Sequence, residues 1–403
     1  MRKIFKYALL FMAAATLTTG FASCSNDDDN DSSSQTLSEG DQLLQKALAA
    51  DVDNTINPTY KSLADSAEML YNALNEMEYG SITQTQVDKA CKVFLGARSS
   101  YEKSEAFLLG ACSHFSIDPH IDSWPLDLTQ LNQLLKSSSN IASASNYDQS
   151  LIGFHGIEFI LFRDGKNRDA AELNSKDTYN KDNINFTTIS GERELQFAKA
   201  VSEDLMNSVF QLQCSWNEDA DKSRFDVLDN LGKAYLTDMG YSYGKNLKEA
   251  GTTDVSIYKS VKTAAIAILN GDGGAAGIAD EVGNVKIHNP YSGEDISYIE
   301  SPYSENSLTD FQNNIHSIEN TWYGGIEGNR GNNSFHAYFA KYNSEKGTAV
   351  ETAITNAIAK IKAIPAPFVE NYKNAKCAEA ITACQTLKKA LDEAAQYIES
   401  SKD

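Results

Sequence analysis

The sequence predicts an all-α fold of packed helical bundles, and three observations carry that prediction. Apolar residues recur at steps of three and four along one long segment: Leu44, Leu48, Val52, Ile56, Tyr60, Leu63, Ala67, Leu70, Leu74 and Met77. This is the spacing of one buried helix face. Convincing apolar–polar alternation, the mark of a half-buried strand, is absent. Finally, residues 151–162 read LIGFHGIEFILF, apolar or glycine except at His155 and Glu158. A helix apolar on every side belongs inside a core.

Taken in order, the chain begins with the basic residues Arg2, Lys3 and Lys6, then a short apolar stretch at 7–17. That stretch is too short to remain as a membrane span. Phe21-Ala22-Ser23-Cys24 follows and resembles the lipobox of bacterial lipoproteins. The resemblance implies that residues 1–23 are a signal peptide and that Cys24 is lipidated. Residues 24–38 carry Asp27, Asp28, Asp29 and Asp31 among Ser and Asn. Such a segment cannot pack a core and reads as a solvated tether. An acidic run after the lipidated Cys also resembles the surface-export signal of some Gram-negative gut anaerobes. No second segment is apolar and long enough to cross a bilayer. An outer membrane lipoprotein, on its periplasmic or surface side, is the expected location, with the lipid as the membrane contact.

Loss of residues 1–23 removes three basic residues and no acidic one, taking the formal net charge from −20 to −23. That argues against nucleic acid as a partner, because phosphate binding needs a basic face. Of the six cysteines, Cys91, Cys112, Cys214, Cys377 and Cys384 remain once Cys24 carries lipid. An odd number without CxxC spacing is no disulfide framework. Cys377 and Cys384 lie about 10.5 Å apart along one helix, beyond disulfide reach. Most read as small core residues.

The remaining chain of about 380 residues is long enough for two domains. Pro58 should kink or break the first long helix. After a turn at Tyr79-Gly80-Ser81 the period resumes at Val87, Cys91, Phe94, Arg98 and Tyr101. Further helices are expected near 193–216, 223–249, 255–269, 304–322 and 346–363. Ile381, Cys384, Leu387, Leu391, Ala394 and Ile398 mark the last one. Residues 113–127 and the Gly- and Asn-rich 270–304 read as loops that could cover a site. The glycines of the second do not form a phosphate loop, since no Lys-Ser/Thr follows. Residues 163–190 read as a polar surface connection with little core.

His155 and Glu158 carry the chemistry. Three residues apart on a helix, they are neighbours on one face. In an apolar run each needs partners. Either they form a structural hydrogen-bonded pair, or they ligate a metal, since neutral imidazole with carboxylate suits zinc or iron. Gly153 and Gly156 weaken the helix and imply a close approach by another element or a ligand. Neither HExxH nor HxxEH is present, so further ligands must come from elsewhere. His114, Asp118, His120 and Asp122 cluster in the first loop, and in extended backbone the last three could point the same way. Glu300 is another candidate, and Arg98 is suited to neutralise Glu158 bidentately. There is no GxSxG for serine catalysis.

GFHGIEFILF resembles the GxHxxE segment of the imelysin family of bacterial envelope proteins. Three more segments agree in order: residues 98–127, ending WPLD; IADEVGNVKI at 278–287; and ESPYSENSLTDFQNNIHSIENTWYGG at 300–325. The resemblance runs from about residue 40 to the C-terminus. It implies two helical domains, each built around a four-helix bundle, here 39–218 and 219–403, with a shared site near their interface. Carried over, His155 and Glu158 are the metal residues. Arg98, Glu105, Asp122, Trp124, Glu300, Ser301, Ser304 and Asp310 are the binding-site candidates. The resemblance implies a part in iron acquisition. The ligand would be iron, haem or zinc, and the partner an iron or haem source or an uptake-system protein. Binding without turnover is the main expectation. A metallopeptidase using HxxE and an interaction lipoprotein with a non-metal His–Glu pair are the alternatives.

Overall fold

The computed structural model describes residues 37–402 apart from Ala142, Ser145, Asn146, Asp182 and Val255. The expected signal peptide, Cys24 and nearly all of the tether lie outside the described residues. The fold is all-α. Helix α1 spans Glu39–Asp51, capped by the Ser38 hydroxyl. A π-helical turn, Val52–Ile56, joins it to α2, Asn57–Asn75. Pro58 therefore does not end the helix. It sits in the first turn of α2, where a missing N–H is tolerated, and the wider π turn absorbs the irregularity. The apolar stripe from Leu44 to Met77 is buried throughout.

Gly80, at φ +89, makes the expected turn. Thr83 and Gln86 then form a capping box that starts α3, Gln84–Glu102. Short helices follow: α4, Ala111–His114; α5, Asp118–Ile121; and α6, Leu128–Lys136. Helix α7, Gly153–Leu161, has every residue buried. After it come a hairpin of β1, Phe162–Arg163, with β2, Lys166–Asn167; α8, Ala170–Leu173; and a second hairpin of β3, Asn180–Lys181, with β4, Ile184–Asn185. Helix α9 runs Gly191–Trp216.

The expected helix at 223–249 is divided. Helix α10, Lys222–Leu231, stops where Gly232 turns left-handed at φ +66, and α11 resumes at Tyr243–Lys248. Next come α12, Val261–Asn270, and α13, Ala275–Glu281, which continues through a π turn, Val282–Ile287, into α14, His288–Ser292. Much of the glycine-rich 270–304 segment is thus helical rather than loop. Gly283 serves packing: a Cβ there would lie 2.9 Å from the Cys384 Cβ. Helices α15, Ser307–Tyr323; α16, Phe335–Tyr342; α17, Ser344–Lys362; α18, Phe368–Asn371; and α19, Lys376–Ser400, complete the chain.

Within Leu37–Asp403, a single compact unit, the helices pack in two groups. Helix α2 lies on α3 and α9, and α7 lies on both of these; α19 lies on α12, α13 and α17, with α15 against α13 and α17. Contact between α3 and α15 joins the groups, while α1 packs on α12 and α16. All five described cysteines are free and buried.

Residues 163–190 hold more core than their polar composition implied. Leu173, Phe186 and Ile189 are buried, and so is Arg168, at 1% exposure. Arg168 grips Glu194 of α9 with two bonds of 2.8 Å and lies 3.2 Å from Asp177. The pairing lets a polar segment close over a core without stranding its charges. Arg168→Ala leaves two buried acids short of a partner and should cost about 3–5 kcal/mol in denaturant unfolding. Lys181→Ala, which breaks an exposed pair with Asp164, should cost less than about 1 kcal/mol. Equal losses would contradict this assignment.

Candidate metal centre

Arg98 lies on the buried face of α3 at 1% exposure, and a guanidinium cannot be buried without acids around it. Glu102, one turn along α3, is 2.6 Å from Nη2, as is Glu300 from the segment before α15. Asp122, just after α5, takes Nη1. Asp310, in the first turn of α15, is 3.5 Å from Nε. Lys286 enters from the second π turn, 3.1 Å from Glu300 and 3.7 Å from Glu102. Asn314 of α15 donates to the Glu102 carboxylate and to its backbone carbonyl. Glu105 is buried, with its carboxylate grouped with those of Glu102 and Asp122.

Helix α7 brings the imidazole to this cluster. Gly153 starts the helix at φ +77, and a Cβ there would stand 2.4 Å from the Ile121 carbonyl oxygen. A Cβ at Gly156 would stand 2.4 Å from the Leu151 oxygen. At both glycines, then, the close approach is by the chain itself. At Gly153 it sets α7 against the backbone leading into Asp122, and Asp122 Oδ1 comes to lie 3.0 Å from His155 Nε2. The Trp124 ring packs on the imidazole at 4.3 Å between centroids.

Glu158 Oε2 faces His155 Nδ1 at 3.4 Å. Its Oε1 accepts from the Tyr303 N–H at 3.1 Å, the Ser304 N–H at 2.8 Å and the Ser304 hydroxyl at 2.7 Å. The expected Arg98–Glu158 pair does not form. Arg98 is taken by other acids, and converging backbone donors satisfy Glu158 instead. Left-handed Ser301 and Glu305, at φ 47 and 58, bracket the turn that aims those donors. Ser301 also donates to Asp310 at 2.6 Å.

The structure thus gathers Arg98, Glu105, Asp122, Trp124, His155, Glu158, Glu300, Ser301, Ser304 and Asp310 into one connected cluster. The histidines of the first loop lie elsewhere. Residues 118–121 are helical, so the alternation imagined for an extended chain does not apply. His120 pairs with Asp204 at 2.8 Å, and His114 bonds the Tyr243 hydroxyl. Glu102 and Lys286 were not anticipated. Glu102 was legible, being four residues after Arg98 on the same face. Lys286 was not, because its segment read as loop.

Burial is the largest influence on Asp122, Glu102, Glu105 and Asp310, and it acts to raise each pKa. At Asp122 the Arg98 guanidinium and then His155 outweigh it and hold the carboxyl well below its usual range. At Glu102 burial prevails over Arg98 and Lys286, and the pKa stands at about 8. Glu105 is raised well above the carboxylate range, and Asp310 to about 6. Burial pushes His155 down, but Asp122 outweighs it and lifts the imidazole to about 9.

The nitrogen and oxygens of His155, Asp122 and Glu300 that could bind a metal lie within 4.8 Å of one another. Glu300 Oε2 is buried and lacks a hydrogen bond among the described residues, while His155 Nε2 has Asp122 as its partner. One imidazole nitrogen with two carboxylates is a donor set that fits iron or zinc. Glu158 is not among these ligand atoms. Its place is behind the imidazole, on Nδ1, where carboxylates commonly orient a ligating histidine. A cleft of about 840 Å³, lined by Trp124, Tyr179, Lys181, Pro302 and Tyr303, opens beside the centre.

These features define an all-helical protein with a buried imidazole set among carboxylates. The chain belongs to the imelysin family, peptidase family M75, whose model matches residues 56–395. It is 24% identical over 344 residues to iron-regulated protein A of Synechococcus elongatus, covering 85% of this chain and 82% of that protein. A crystal structure described as an iron-regulated protein A precursor from Parabacteroides distasonis superposes with a TM-score of 0.73 at 28% identity, covering 91% of this chain and 97% of that one. An imelysin-like protein from Psychrobacter arcticum shares the fold, with a TM-score of 0.55 at 11% identity, covering 89% and 94%.

In metal-free protein the raised His155 pKa has a signed consequence. Its stabilising contribution is complete below about 6.5, the unperturbed value, and is lost as pH rises through about 9. Unfolding free energy should therefore fall between pH 7 and 10 by more in wild type than in His155→Gln. The imidazole resonances should titrate near pH 9, and a midpoint below 7 would contradict the Asp122 pairing.

Proposed function

We propose that this protein is an envelope-anchored lipoprotein that binds iron, without turnover, as part of iron acquisition. One observation carries the reading: the ligand atoms of His155, Asp122 and Glu300 lie within 4.8 Å of one another in the interior, and Glu300 Oε2 lacks a hydrogen bond among the described residues. His155, Asp122 and Glu300 would hold the metal. Glu158 would orient the imidazole through Nδ1. Arg98 and Lys286 keep Asp122 and Glu300 in place and temper their charge. The relatives named as iron-regulated support iron over zinc. Enclosure of the imidazole by Trp124 and the acid cluster favours a bare ion over a porphyrin. Turnover is left out because Glu158, the base that an HxxE peptidase would use, has Oε1 filled by three donors.

Metal analysis and calorimetric titration with Fe²⁺, Zn²⁺ and haem, on wild type beside His155→Ala, test this. Iron should bind wild type, and binding should fall at least about tenfold in His155→Ala, a loss of 1.4 kcal/mol or more. It should also weaken as pH falls, because the metal competes with the proton on the imidazole. A wild type that binds none of the three would overturn the metal reading. Chelator-sensitive cleavage of a peptide library, abolished by Glu158→Gln, would establish the peptidase instead.

The anchor is part of the same proposal. Several acyl chains on Cys24 would hold the protein at the outer membrane, since one chain binds only marginally. The acidic tether would let it reach an iron source or an uptake-system protein. Cys24→Ala should move the protein to the soluble fraction, and membrane retention of that variant would sink the lipid-anchor assignment.

A further inference from the structure

Glu105 differs from the other acids of the cluster. It is 7% exposed, yet no hydrogen bond or ion pair holds its carboxylate among the described residues. Its ligand oxygen lies within 4.8 Å of those of Glu102 and Asp122. Glu102 Oε1 is buried with Arg98 Nη2 as its partner at 2.6 Å. Ionised together at such spacing, three carboxylates repel one another strongly away from bulk water, so without a further cation they retain protons. Arg98 touches Glu102 and Asp122, and Lys286 lies 3.7 Å from Glu102. Lys286 acts on Glu105 through its field, but among the described residues neither it nor Arg98 forms a direct ion pair with Glu105. A further positive charge between these oxygens would relieve the repulsion and give Glu105 a partner.

Asp122 belongs to two groups of ligand atoms. One joins it with His155 and Glu300, the other with Glu102 and Glu105. In each group the ligand atoms lie within 4.8 Å of one another, and Asp122 is the member they share. A carboxylate has two oxygens and is able to bridge two cations.

We propose that the centre is dinuclear, with a second cation held by Glu102, Glu105 and Asp122, and with Asp122 bridging it to the cation on His155, Asp122 and Glu300. The proposal rests on the metal reading of the His155 site. The two positions differ in chemistry. The first offers an imidazole nitrogen and suits borderline ions such as Fe²⁺ or Zn²⁺. The second offers only carboxylate oxygen and suits hard ions such as Mn²⁺ or Fe³⁺. Arg98 and Lys286 remain as fixed counter-charges.

The test is the number of Mn²⁺ ions bound per chain by the full-length protein. It is read by equilibrium dialysis with elemental analysis and by the electron paramagnetic resonance of the loaded protein. Wild type should bind two and show an exchange-coupled spectrum. Glu105→Gln, nearly isosteric, and His155→Ala should each bind one and show an uncoupled signal. Asp122→Asn should weaken both sites by at least about tenfold. If wild type binds one ion, lost in His155→Ala and unchanged in Glu105→Gln, the second site is refuted and the His155 site stands. If wild type binds no Mn²⁺ but binds iron in the calorimetric titration, the second site is refuted and the His155 site stands; if it binds neither, both readings fail. Two ions retained in Glu105→Gln would also overturn the assignment. Should Glu105→Gln fail to fold, the wild-type spectrum decides: a coupled signal supports the bridge and an isolated Mn²⁺ signal refutes it.

Discussion

A guanidinium buried at 1% exposure is the constraint on which the rest of the centre depends. Arg98 keeps its charge in the interior, so the fold must deliver acids to it. They arrive from four places: Glu102 on the same helix, Asp122 after α5, Glu300 before α15 and Asp310 within α15. These segments are far apart in the chain, and their meeting at one side chain ties the two groups of helices together. Asn314 of α15 binding Glu102 of α3 strengthens the same junction. The charges that hold the groups together also leave an excess of carboxylate at the junction, which is where a cation would be bound.

The imidazole has two nitrogens in two different environments. Nδ1 faces Glu158, whose position is set by the amides and hydroxyl of the 303–304 turn. Nε2 faces Asp122 and the acid cluster. Fixing one nitrogen from behind presents the other to a ligand, the usual logic of a metal-binding histidine. Gly153 makes the arrangement possible. With a side chain there, α7 could not lie against the Ile121 carbonyl, and Asp122 would not reach the imidazole.

Much of this was legible before any coordinates. The stripe from Leu44 to Met77 and the enclosed run at 151–162 are buried as their periodicity requires. The candidate side chains, although drawn from three separated segments, meet in one cluster. The misreadings have specific physical causes. Glycine-rich 270–304 read as loop because glycine disfavours helices in isolation, but Gly283 packs so closely on Cys384 that the helix needs it. Residues 163–190 read as bare surface because the buried Arg168–Glu194 pairing leaves no hydrophobic pattern. Pro58 read as a break because sequence spacing does not reveal a π turn.

The sequence by itself determined the fold class, the burial of His155 and Glu158, and their need for polar partners. Those follow from local rules: helical period, the cost of burying charge, and the geometry of residues three apart. The tertiary structure alone decided which partners they received. Arg98 appeared suited to Glu158, yet it pairs with Glu102, Asp122, Glu300 and Asp310, while backbone amides meet Glu158. That choice depends on how a left-handed turn aims its N–H groups and on how closely two backbones approach at a glycine. Both are relations between segments distant in the chain, and neither leaves a mark in residue spacing.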